Sequence, residues 1–118
     1  WDAPGRVLTA WFHGHLLARE MYAEIIRGNE TMDLWMEPVW HFDDQAEVNL
    51  MSRNVMLQQG DKIQSTCVFD STSETRPVQM GTGTRDEMCW AQFGLVKKRG
   101  HPAMFGFMCS EGEWWAGE

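Results

Sequence analysis

A chain of 118 residues, 43% hydrophobic and 23% charged, has the size and make-up of one globular domain, which excludes a disordered tail, a collagen-like chain and a low-complexity segment. Ten basic against seventeen acidic residues give a net charge of -7 with no basic stripe, so nucleic acid is not an expected partner. No apolar run nears the ~18 residues of a membrane span; the chain opens on Trp1 without a signal-peptide pattern, as expected of a segment excised from a longer product.

The periodicity is that of strands. From Val7 to Leu16, alternate residues divide: Leu8, Ala10, Phe12 and Leu16 are predicted on one face, and Trp11, His13 and His15 on the other. Met21 to Arg27 reads as helix or strand, but the Gly28-Asn29 pair before Met32 to Met36 favours a hairpin, closed by Glu37-Pro38. Val48 to Met56 is a weaker segment, read as a strand with a bend. Gln58-Gln59-Gly60-Asp61 is a turn. Lys62 to Phe69 is a strand with Ile63, Cys67 and Phe69 on one face. Asp70 to Pro77 is a polar loop and Gly81 to Thr84 a second turn. Met88 to Val96 is mixed, Lys97-Lys98-Arg99 a solvated turn, and Ala103 to Cys109 a final apolar strand. The acidic tail with Trp114-Trp115 is expected to fray or to belong to another contact. Short strands separated by turn signals, with no internal repeat or linker, predict an all-β sandwich in a single domain over residues 1–118.

Three cysteines, Cys67, Cys89 and Cys109, leave one thiol without a partner in the chain. Either the thiols are free in a reducing compartment, or a pair has been cut. His13-Gly14-His15 is the sharpest local feature. On a strand, residues two apart point the same way, ~7 Å apart along the backbone, so two imidazoles can converge on one ion. A third ligand must come from elsewhere, and His41 and His101 qualify by type only. The glycines of Gly81 to Thr84 precede no lysine and are followed by Asp86 and Glu87, which argues against a phosphate loop. Those two acids, adjacent on a strand, face opposite ways, which disfavours paired-carboxylate catalysis. Most of the nine methionines are core filler, but the thioether of Met88 is a soft donor suited to Cu(I).

The HxH pair, the run Gln59 to Phe69, and Gly83-Thr84-Arg85-Asp86-Glu87-Met88-Cys89 about seventy residues beyond the histidines occur in an order and spacing that resembles the C-terminal domain of the copper type II, ascorbate-dependent monooxygenases. The resemblance spans roughly residues 7–109. It implies an antiparallel jelly-roll-like β-sandwich, with His13, His15 and Met88 as ligands of an oxygen-binding copper. It further implies a Cys67–Cys89 disulfide, Cys109 paired with a cysteine outside the chain, and a secreted or lumenal location. Trp11, on the histidine face, is placed to line a substrate pocket. The arginine, asparagine and tyrosine with which the peptidylglycine branch grips a substrate carboxylate are replaced here by Trp11, Trp90 and Gln92, so that substrate is not implied. The family's second, electron-storing copper belongs to a separate N-terminal domain, and only His41 and His101 are left over in this chain.

Two readings follow. In the first, the chain is half of an enzyme that hydroxylates a C–H bond of a small molecule with dioxygen and ascorbate, inactive without the N-terminal copper domain of the same polypeptide. In the second, it is a non-catalytic copper-binding or structural module of the same family.

Overall fold

The computed structural model describes residues 4–97 and the backbone of 108–109. The predicted alternation builds β1 (Gly5–His13), β2 (Ala18–Arg27) and β3 (Glu30–Glu37). The ambiguous Met21–Arg27 run is strand, because its neighbours on both sides supply ladders and β2 becomes the central strand of its sheet. Arg27 pairs directly with Glu30, so the β2–β3 loop is only Gly28-Asn29, with Gly28 at φ +60°. A side chain at that position would be strained, which is why a glycine punctuates the hairpin there. The bend read in Val48 to Met56 is a 3-10 turn (Met51–Arg53) between two two-residue strands, β4 (Val48–Asn49) and β5 (Met56–Leu57). Beyond the Gln58–Asp61 turn lie β6 (Lys62–Phe69), then β7 (Trp90–Lys97) and β8 (Met108–Cys109). Every strand pairing among the described residues is antiparallel.

One sheet runs β4-β1-β7-β8, with β5 sharing β1's edge; the other runs β3-β2-β6. The chain crosses between them after β1, β3, β5 and β6, the winding of a jelly-roll-like sandwich. Val7, Ala10, Phe12, Phe93 and Leu95 from the first sheet meet Met21, Ala23, Ile25 and Leu34 from the second in one buried cluster. Ile63, Cys67 and Phe69 pack against it from β6, the shared face their spacing predicts.

Two expectations about β1 are corrected. Its pairing with β7 slips between Val7 and Thr9, a β-bulge. The extra residue resets the alternation, so Val7, not Leu8, enters the core ahead of Ala10 and Phe12. The freed backbone is taken up at the edge: Leu50 N–H donates to Leu8 O at 2.7 Å and Val7 N–H to Val55 O at 2.9 Å. The strand also ends at His13, so Leu16 falls in a turn and is 52% exposed while Leu17 is buried in its place. Lys97 closes β7 opposite Gly5 rather than opening a turn. Of the predicted final strand only Met108 and Cys109 are described; His101, Lys98-Arg99 and Trp114-Trp115 lie outside the described residues.

Candidate metal centre

The end of β1 is held by groups far away in sequence. Trp11 and His13 sit half-buried on the face of β1 turned away from the core, their rings stacked with centroids 5.6 Å apart. His13 pairs with Trp90, the first residue of β7, whose ring lies edge-on at 6.2 Å. Although β1 has ended, His15 still turns to the same side: its ring is 5.3 Å from that of His13 and nearly perpendicular to it. Phe42 closes the other flank at 6.4 Å from His15. Gly14 between them is buried, and a Cβ there would collide with Cε of Met21 and come within 3.2 Å of Met88 O. The glycine is needed for the core below.

Each imidazole has its Nδ1 occupied. His13 Nδ1 lies 2.6 Å from Oε1 of Gln45, and His15 Nδ1 lies 2.8 Å from the carbonyl oxygen of Asp86. A carbonyl oxygen only accepts, so each Nδ1 donates and each Nε2 keeps its lone pair. Two imidazoles bound at about 2 Å to one ion have centres no more than about 6.5 Å apart, and the observed 5.3 Å is inside that limit. The donor set therefore fits a metal that accepts imidazole.

The loop before β7 is pinned to this end by a buried carboxylate. Glu87, 4% exposed, accepts from His15 N–H at 3.0 Å, Leu17 N–H at 2.6 Å and Met88 N–H at 3.3 Å. Its own backbone closes a loop, with Glu87 N–H donating to Gln79 O and Gly81 N–H to Glu87 O, both at 3.0 Å. Asp86 N–H donates to Gly83 O at 2.9 Å, and the Asp86 side chain fills the space beside Gly81 and Gly83. The two acids are thus braces of a loop rather than opposite faces of a strand.

Met88, half-buried and outside the core cluster, lies between this brace and Cys89. Its carbonyl oxygen lies 3.2 Å from where a Cβ on Gly14 would sit, so the Met88 backbone runs beside the turn between the two histidines. Cys89 is bonded to Cys67 of β6 with a Cα separation of 5.8 Å, tying the Met88 segment to the second sheet. Cys109 lies on β8 opposite Ala91. His41 is elsewhere, lining a small cavity of about 80 Å³ with Glu37 and Asp44. Among the described residues no three His, Cys, Asp or Glu side chains form a group that could hold a metal.

Trp11, Glu47 and Gln92 line a shallow groove of about 270 Å³ beside His13. Trp11 is legible in the sequence, whereas Glu47 and Gln45, polar residues of a loop with no periodic or motif signal, are not. The brace role of Glu87 has one local signal, its position directly before Met88-Cys89.

Residues 5–93 match the family model described as copper type II ascorbate-dependent monooxygenase, C-terminal domain. That match covers most of the chain, which therefore belongs to this family, one named for its copper and ascorbate dependence. The chain is similar to dopamine beta-hydroxylase of the dog, Canis lupus familiaris, at 19% identity over 84 residues, which is 71% of this chain and 13% of that protein. It thus spans about an eighth of that relative's length. No solved structure matches.

Proposed function

We propose that residues 1–118 form the oxygen-binding copper domain of a monooxygenase, with His13, His15 and Met88 as the ligands. The observation that carries this is the facing pair His13 and His15, each with Nδ1 engaged by an oxygen and Nε2 left as donor. The third donor is the Met88 thioether, the soft ligand that favours Cu(I). When bound, copper supplies the activation of dioxygen for hydroxylation of a substrate C–H bond, with ascorbate as reductant.

The protein's own part is positional. Gln45 and the Asp86 carbonyl hold the imidazole planes; Glu87 and the Cys67–Cys89 bridge hold the segment on either side of Met88. Trp11, Trp90 and Phe42 surround the histidines with rings and thin the water around them. The groove of Trp11, Glu47 and Gln92 takes the small-molecule substrate. Among the described residues its one charged lining group is the Glu47 carboxylate, which favours a neutral or cationic substrate over one that presents a carboxylate. The second electron comes from the N-terminal copper domain of the same polypeptide. The disulfide supports a secreted or lumenal setting, where such bonds persist.

The test is made in the full-length protein. X-ray absorption of the Cu(I) form is expected to show one sulfur scatterer, lost in Met88→Ile, with ascorbate-driven oxygen consumption collapsing in step. A Met88→Ile protein with wild-type turnover would overturn the ligand set.

A further inference from the structure

Gln45 lies in the loop between β3 and β4, 32 residues from His13 in sequence, and contacts the ligand strand at three successive side-chain or backbone levels. Its backbone oxygen accepts from the indole Nε1–H of Trp11 at 3.3 Å. Its side-chain Oε1 faces His13 Nδ1 at 2.6 Å. Its amide nitrogen donates to Phe42 O at 2.8 Å and to Gly14 O at 3.4 Å. Those two carbonyls can only accept, so they fix which way the amide points: nitrogen toward the backbone, oxygen toward the histidine. A neutral imidazole has one N–H, and the amide oxygen demands it at Nδ1. In water a free imidazole side chain prefers its proton on Nε2, the atom a metal would need here.

We propose that Gln45 is a positioning residue: it holds His13 in the Nδ1–H tautomer, keeping Nε2 open as a donor, and ties that state to the groove-lining Trp11. His15 obtains the same tautomer from a main-chain carbonyl that no substitution removes. Gln45 is therefore where side-chain chemistry sets the readiness of the pair. Because Gln45 is neutral, it orients the ring without adding charge to the site. The proposal rests on the metal reading for its consequence, but the tautomer itself is a property of the metal-free protein.

The experiment uses the full-length protein labelled with [15N]histidine, metal-free, with His13 resonances assigned by their loss in His13→Ala. The wild type is expected to show His13 protonated at Nδ1. Gln45→Leu should make the Nε2–H form the major one and weaken Cu(I) binding at this site ~10–100-fold. Gln45→Glu keeps an oxygen at the same reach, so Nδ1 should stay protonated and copper affinity should recover most of the loss. Near-UV circular dichroism and a thermal melt accompany each variant; if Gln45→Leu does not fold, Gln45→Glu decides. Nδ1–H persisting in Gln45→Leu, or Gln45→Glu losing Nδ1–H or as much affinity as Gln45→Leu, would overturn the proposal. Wild-type protein that takes no copper at His13 would sink the metal reading alone, since the nitrogen spectra still report on Gln45.

Discussion

The two ends of the sandwich are each closed by a buried carboxylate, in different ways. At the end where β1 begins, Asp61, 1% exposed, takes Nε and Nη2 of Arg27 at 2.8 and 2.7 Å and Gln58 N–H at 2.7 Å. Arg27 also donates to Met56 O at 3.0 Å, so one ion pair gathers β2, β5 and the turn into β6. At the end where β1 stops, Glu87 holds three main-chain N–H groups, with no ion pair to it among the described residues. The contrast has a physical reason. On the proposed metal reading, a fixed cationic charge beside His13 and His15 would repel the ion. Main-chain donors hold a carboxylate with partial charges only, leaving the histidine end free of that opposition.

Removing each brace sharpens the comparison. Glu87→Ala strands three donors, and at roughly 1 kcal/mol each the loss is about 3 kcal/mol of stability. The same change should lower copper affinity at least ~10-fold, because the segments carrying His15 and Met88 part company. Urea unfolding beside a Cu(I) competition titration measures both. Replacing Cys67 and Cys89 by alanine opens a loop with a sequence separation of 22, costing about 3 kcal/mol by chain entropy. It should weaken copper less than Glu87→Ala, since the Glu87 clamp remains.

Asp61→Ala should destabilise by about 2 kcal/mol, the scale of charge-assisted hydrogen bonds, with copper affinity unchanged. Any fall in affinity there would mean that the ends are coupled, as would clear non-additivity of the Asp61 and Glu87 changes. The Arg27 guanidinium holds the Asp61 carboxyl below its usual value of 3.8. A lowered folded pKa gives stability that is complete above the unfolded value and lost as pH falls through the folded one. Acid should therefore begin to weaken the Asp61 end below about pH 4, and Asp61→Ala should flatten that part of the pH–stability curve. The smallest stability change belongs to Met88→Ile, under ~1.5 kcal/mol because volume and apolar character are kept. Its loss should show in Cu(I) affinity instead, a separation that a residue serving only as core would not produce.

Local pattern carried much of this molecule. Alternation and Gly28-Asn29 specified the β2–β3 hairpin, and Lys62–Phe69 matches β6 residue for residue. Both signals are short-range: side-chain period and turn stereochemistry act within a few residues. The histidine pair was legible for the same reason, since residues two apart on an extended backbone share a side.

The bulge at Val7–Thr9 was not legible, because it belongs to the pairing of β1 with the distant β7, and one inserted residue reverses every face before it. Gln45 and Glu87 were hidden by distance: they reach His13 and His15 across 32 and 72 residues. An amide and a carboxylate in loops look solvated in a sequence, and only folding shows which buried donors and acceptors they satisfy. Composition and periodicity thus determined an all-β sandwich with two histidines side by side. Which nitrogen of each ring is left open, and what braces the loop that carries Met88, was decided by long-range hydrogen bonds that exist only in the assembled tertiary structure.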